Sequence, residues 1–150
     1  MQRTIRHLIS LHHPREKVWD YLTRPELLAQ WLMPNNFELA IGHQFRFSAR
    51  PLPRFGFDGN IYCQVLEIVP MKKLAYTWRG GPEPGTTTLD SIVTWTMIEK
   101  PTGTDLLLEH SGFRGTKNFL TYLVMNRGWV KIQKRLSKQI DLTAYVLPTA

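Results

Sequence analysis

The last third of the chain ends in one long amphipathic segment. From about Thr116 to about Leu142, Trp129, Ile132, Leu136 and Ile140 recur at helical spacing and form a single apolar stripe. Thr116 is placed as its N-cap. A helix of that length with one apolar side has to lie on another layer, and what precedes it supplies strands. In "GHQFRFSAR", Phe45 and Phe47 alternate with Gln44, Arg46 and Ser48, the period of a half-buried strand. Leu74, Tyr76 and Trp78 share a face in "KKLAYTWRGG", as do Val93, Trp95 and Met97 in "SIVTWTMIEK". In "LLLEHSGF", Leu106, Leu108 and His110 fall on one side, with Leu107, Glu109 and Ser111 on the other. "GNIYCQVLEIVP" is a further strand whose inward face the alternation leaves ambiguous. Short turns such as "PTGT" join these runs, which makes an antiparallel meander the expected pairing.

Before the meander, Thr4 to Leu11 reads as a first strand, and two short helices follow it. Pro14 suits a first helical turn, and Val18, Trp19 and Leu22 make the first helix's apolar stripe. Thr23 and Glu26 have capping-box spacing for the second helix, with Pro25 in its first turn and Leu27, Leu28 and Trp31 on its buried side. "MPNN" stops it. Gly128, inside the long helix, marks a close backbone approach or a bend. The expected fold is α+β: a curved antiparallel sheet of five or six strands wrapped around the long C-terminal helix, with two short helices after the first strand.

With 150 residues and 43% hydrophobic content, the chain is sized for one globular domain over residues 1–150. No apolar run approaches the roughly 20 residues that span a bilayer, and "MQRTIRHLIS" lacks the h-region of a signal peptide. The single cysteine, Cys63, reads as a small apolar core residue, and the expected compartment is the cytoplasm. The net charge of +7 is scattered. Its nearest approach to a patch, Lys131, Lys134, Arg135 and Lys138, has the spacing of a helix's solvated face. No nucleic-acid-binding motif accompanies it, so neither nucleic acid nor membrane insertion is expected.

The inward positions carry Phe45, Tyr76, Trp78, Trp95, Leu108 and His110, with Trp31 and Trp129 nearby on helices. Large rings with a few polar points are the usual lining of a small-molecule pocket. The same rings also suit a filled core. His110 has three readings: a polar contact for a ligand, a core histidine bonded to backbone, or a general acid/base. The third needs a complementary group that the sequence does not reveal, so His110 is only a weak catalytic candidate. Metal is not expected: His12 and His13 are adjacent and point apart, and His7, His43 and His110 are far apart in sequence. "RGGPEPG" lacks the lysine and context of a phosphate loop, "HSGF" is no nucleophile elbow, and no cofactor is expected.

The segments "HPREKVWDYLTRPELLAQWLMP", "GHQFRF", "LAYTW", "VTWTM", "GTDLLLEHSGF" and "GW" resemble, in sequence and order, the family of the heat-shock-protein-90 ATPase activator. More closely, they resemble bacterial stand-alone proteins equivalent to the activator's C-terminal domain. These belong to the START-like, birch-pollen-allergen-like (SRPBCC) superfamily with the helix-grip fold, and the resemblance runs from about Thr4 to Leu142. It implies a hydrophobic cavity between sheet and helix, and relatives that carry lipids or act as aromatase/cyclases. The activator's N-terminal domain has no room in 150 residues, which weighs against chaperone regulation. Binding of a hydrophobic or amphipathic small molecule is the expected function. Its rivals are a cyclase, aromatase or hydrolase using His110, and a co-chaperone or other interaction module working through the basic stripe. A homodimer is compatible with each.

Overall fold

The structure is a computed structural model that describes residues 2–83, 85–114 and 118–142. Its elements follow the order β1 (Gln2–Leu11), α1 (Arg15–Thr23), α2 (Pro25–Trp31), β2 (Gln44–Ser48), a 3-10 turn (Pro53–Phe55), β3 (Asn60–Val69), β4 (Lys73–Gly80), β5 (Leu89–Lys100), β6 (Gly103–Arg114) and α3 (Phe119–Leu142). The strands form one sheet, ordered β1-β6-β5-β4-β3-β2, with every neighbouring pair antiparallel. The first strand pairs with the last, and since the two are antiparallel β1 delivers the chain to α1 and α2 beside the start of β6, at the opposite end from Arg114. The expected α+β helix-grip architecture is the one observed. Thr116, the expected cap of α3, lies outside the described residues.

One face of the sheet carries the core. Phe45 and Phe47 of β2, Ile61, Cys63 and Val65 of β3, Leu74, Tyr76 and Trp78 of β4, and Val93, Trp95 and Met97 of β5 are all buried. Val18, Trp19, Tyr21 and Leu22 of α1, Leu28 and Trp31 of α2, and Trp129, Ile132, Leu136 and Ile140 of α3 close over them. β3 was ambiguous because a register shift between Val65 and Glu67 breaks its alternation and leaves Leu66 exposed on the outer face.

Three local readings need correction. Thr23 does not cap α2: its hydroxyl donates back to the Trp19 carbonyl of its own helix at 2.7 Å, and Arg24 is the N-cap without a side-chain cap bond. Pro25 explains this, since the residue before a proline is pushed out of the helical region, and Arg24 sits at φ −92°, ψ 121°. Gly128 is not a close approach; a Cβ built there meets nothing within 4 Å. Finally, strict alternation would point Gly112 inward and Phe113 outward. Gly112 instead takes φ +112° at a register shift between β6 and β1, and Phe113 turns into the core. A side chain at Gly112 would meet the Asp90 carbonyl oxygen at 2.9 Å, so the bulge that bends β6 depends on glycine there.

Candidate functional site

His110 is placed by β6 and held from three other elements. It lies opposite Val93 of β5, whose inward residue two positions earlier is Ser91. Ser91 in turn lies opposite Trp78 of β4. α3 brings Trp129 over the top. The Trp129 indole N–H donates to His110 Nδ1 at 3.0 Å, and His110 Nε2 lies 2.8 Å from Ser91 Oγ, which donates to the Trp78 carbonyl at 2.7 Å. An indole can only donate, so Nδ1 must be the acceptor and the proton of a neutral imidazole sits on Nε2. The chain of donors therefore runs one way, from Trp129 to His110 to Ser91 to the backbone. Burial pushes the imidazole down to about 3, which keeps it neutral at ordinary pH.

The rings around it interlock. Trp129 stands 5.2 Å from Trp78 and 5.6 Å from Trp95, centroid to centroid; Trp95 stands 5.6 Å from Trp31, and Phe45 5.2 Å from Tyr76. Polar atoms of this cluster are paired within it or with nearby backbone. Trp95 donates to the Tyr76 hydroxyl at 2.8 Å, and Trp31 to the Tyr21 carbonyl at 3.0 Å. Burial raises the Tyr76 phenol above its ordinary value.

All eight residues singled out in the sequence thus meet in one continuous cluster. They do not line a vacancy. Trp31, Leu108, His110 and Trp129 are 0% exposed, and Phe45, Tyr76, Trp78 and Trp95 no more than 4%. Side chains fill the space where a cavity was expected, because the rings satisfy one another's polar atoms and pack edge to face. Two further residues belong to the cluster. Ser91 shares the parity of Val93 and Trp95, so its inward position was readable, but its pairing with His110 needed the register. Phe113, 4.7 Å from the His110 ring, was hidden by the bulge.

The geometry also bears on acid/base chemistry. Ser91 and His110 are spaced like a nucleophile and its base, yet the tautomer is the opposite of what that pair requires. Nε2 carries the proton, and the lone pair on Nδ1 is taken by an indole. In this arrangement His110 has no lone pair for a substrate's proton. Among the described residues, no group of three or more His, Cys, Asp or Glu converges as a metal site. Cys63 is buried, and burial raises its thiol.

α3 is bound to the sheet unevenly. Its second half buries Trp129, Ile132, Leu136 and Ile140, while no residue from Asn118 to Gly128 is fully buried. That first half is nonetheless apolar: Phe119, Leu120 and Leu123 are 40%, 62% and 41% exposed, and Tyr122, Val124 and Met125 are half-buried. It touches the sheet through edge contacts. His7 Nε2–H donates to Asn126 Oδ1 at 2.7 Å, the Arg3 guanidinium lies 4.7 Å above the Phe119 ring, and Phe113 meets Tyr122 at 5.6 Å. On the side of the helix away from the sheet, which Leu120 shares, Lys131, Lys134, Arg135 and Lys138 are exposed, as a solvated face should be. No helix among the described residues is long and apolar enough to cross a membrane.

Comparison with known proteins agrees with this architecture. The family described as Activator of Hsp90 ATPase homolog 1-like protein matches residues 12–141. The chain belongs to that family. A crystal structure of a Mesorhizobium loti protein is 38% identical, covers 95% of this chain and all of its own, and superposes with a TM-score of 0.83. A Bacillus halodurans protein solved in solution is 27% identical over 92% of this chain and 96% of its own, with a TM-score of 0.72. A Micromonospora echinospora protein shares the fold at 23% identity and a TM-score of 0.70, covering 93% of this chain and 75% of its own. No curated protein matches the chain. The family places the chain in the START-like superfamily, whose fold commonly binds hydrophobic ligands.

Proposed function

We propose that the protein binds a hydrophobic or amphipathic small molecule between the sheet and the first half of α3. One observation carries this reading: Tyr122 and Met125 face the dense aromatic core from the first half of α3, with Phe119 at their margin, and none of the three is fully buried. A helix normally turns such residues into the core, and an apolar surface left open next to a core is where a ligand gains most from leaving water. The gain is about 25 cal/mol per Å² of apolar area removed from water, before the cost of immobilising the ligand. In this reading the eight inner residues form the wall behind the ligand, with Trp129 as its movable member. Lifting the Trp129 indole off His110 Nδ1 would free a buried acceptor, and a ligand with a hydroxyl or amide could take the indole's place. His110 then orients the ligand's polar end without catalysing a reaction.

The test is a ligand panel of fatty acids, sterols and planar polyphenols, read by melting temperature and tryptophan emission. At a hundred times its dissociation constant a true ligand stabilises by about 2.7 kcal/mol, which for a chain of this size raises the melting temperature by roughly 5 to 10 °C. Met125→Ser, on the side of α3 that packs against the core, should weaken binding, whereas Leu120→Ser, on the solvated side, should not. A panel that shifts neither signal would remove the basis for this function. The interaction reading keeps one feature, the exposed basic face of α3. It predicts salt-sensitive capture of an acidic protein that Met125→Ser leaves unchanged.

A further inference from the structure

On the outer face of the sheet, opposite the core, β2, β3 and β4 frame a groove of 530 Å³ lined by Asn36, Gln44, Arg46, Tyr62, Gln64 and Arg79, with Phe45 and Cys63 at its base. Strand alternation puts the side chains of Gln44, Arg46, Tyr62, Gln64 and Arg79 outward, and register sets them in rows. Arg46 lies opposite Tyr62, and Tyr62 opposite Arg79, so two arginines flank one tyrosine on three adjacent strands. Gln44 and Gln64 form the adjoining row. Neighbouring strands are about 4.8 Å apart, so the two arginines start about 10 Å from one another, within reach of a shared ligand.

The charge of this groove is unbalanced. Elsewhere in the strands Arg6 meets Glu109, Lys73 meets Glu67 and Lys100 meets Asp105, each at 2.9 Å. The groove contains no carboxylate. Arg46 has neither a salt bridge nor a side-chain hydrogen bond among the described residues. Arg79 is itself salt-bridged through Nε to Asp90 at 2.8 Å, which leaves Nη1 and Nη2 unbonded among the described residues, so the unpaired charge of the groove is that of Arg46. Asn36 Oδ1 is already taken by the Arg46 backbone N–H at 2.7 Å, so its carboxamide offers donors to the groove. The lining is thus two cationic forks, three carboxamides and a phenol ring that is 36% exposed.

We infer that this groove is a second binding site, separate from the sheet–helix interior, for a small organic phosphate carrying a planar ring. Guanidinium forks match phosphate oxygens in pairs, the Tyr62 ring offers a face for stacking, and the volume lies within the range of small-molecule sites. The inference stands apart from the proposed interior ligand, because the polar side chains that would hold the phosphate are on the other side of the sheet.

The probe is phenyl phosphate, titrated into labelled protein and followed by amide chemical shifts, with inorganic phosphate, phenol and a duplex oligonucleotide as separate arms. Saturable shifts are expected at residues 44–46, 62–64 and 79, with inorganic phosphate weaker and phenol showing no binding. Arg46→Gln and Arg79→Gln should each weaken phenyl phosphate roughly tenfold, as loss of one charge-assisted contact does. Their melting temperatures should stay within about 2 °C of the parent, since both side chains are on the surface. Met125→Ser should leave this binding untouched, which separates it from the interior ligand. Unsaturable or scattered shifts, parental affinity in the double arginine variant, or binding of the oligonucleotide alone would each overturn the inference.

Discussion

The stretch from Leu106 to Phe113 shows how one buried histidine is governed by its partners. His110 keeps both nitrogens occupied only while it is neutral, because a proton on Nδ1 would face an indole N–H. Its folded value of about 3 lies below the ordinary 6.5 expected of the unfolded chain, and burial is the cause. The unfolded chain therefore binds the proton more readily on acidification. Stability from this group is complete above about pH 6.5 and drains away as pH falls toward 3. Between about pH 6.5 and 5 the loss is roughly 2 kcal/mol. The expected outcome is a urea midpoint that falls over this range in the parent and falls less in His110→Gln. Equal pH dependence in both proteins would mean that His110 reaches water in the folded state.

At the scale of the element, α3 is two helices in one. The half from Trp129 to Ile140 was legible from residue spacing, and its stripe is the observed buried stripe. The strands were legible for the same reason: a period of two survives wherever one face is buried and the other is wet. What the sequence hid were departures from periodicity. The bulge at Gly112, the register shift in β3 and the preference of Arg24 over Thr23 as a cap each arise from one residue's backbone, which an apolar pattern does not encode. The packed state of the interior was hidden too, since whether rings fill a space or line it depends on docking distances. The two halves of α3 predict different mutational costs. Leu136→Ala should cost about 2 to 5 kcal/mol, as a buried leucine does, whereas Leu120→Ser should fall within about 0.5 kcal/mol. Gly128→Ala should stabilise by roughly 1 kcal/mol, because a helical glycine with open space around it gives only the entropic cost. Thermal denaturation of the three variants checks this; destabilisation by Gly128→Ala would show that the space beside the helix is needed.

Across the whole molecule, the curved sheet, α1, α2 and the second half of α3 share one core, and the first half of α3 stands at its margin. Regions open locally at a free energy set by what they bury. The sheet and residues 132–140 should therefore open only with global unfolding, while residues 119–128 should open at a fraction of that cost, losing a hydrogen bond to His7 and a cation–π contact with Arg3 but little fully buried area. Ligand entry beneath α3 requires this separation, because a helix that lifts only when the protein unfolds admits nothing to a folded interior. Native-state hydrogen exchange reads the two halves independently. Amides of residues 122–128 are expected to exchange through a low-energy opening, and those of 132–140 through the global one, with the difference narrowing when a ligand from the panel is bound. If both halves exchange at the global free energy, α3 is a rigid lid over a filled core, and the outer groove of β2, β3 and β4 becomes the better place to seek this protein's ligand.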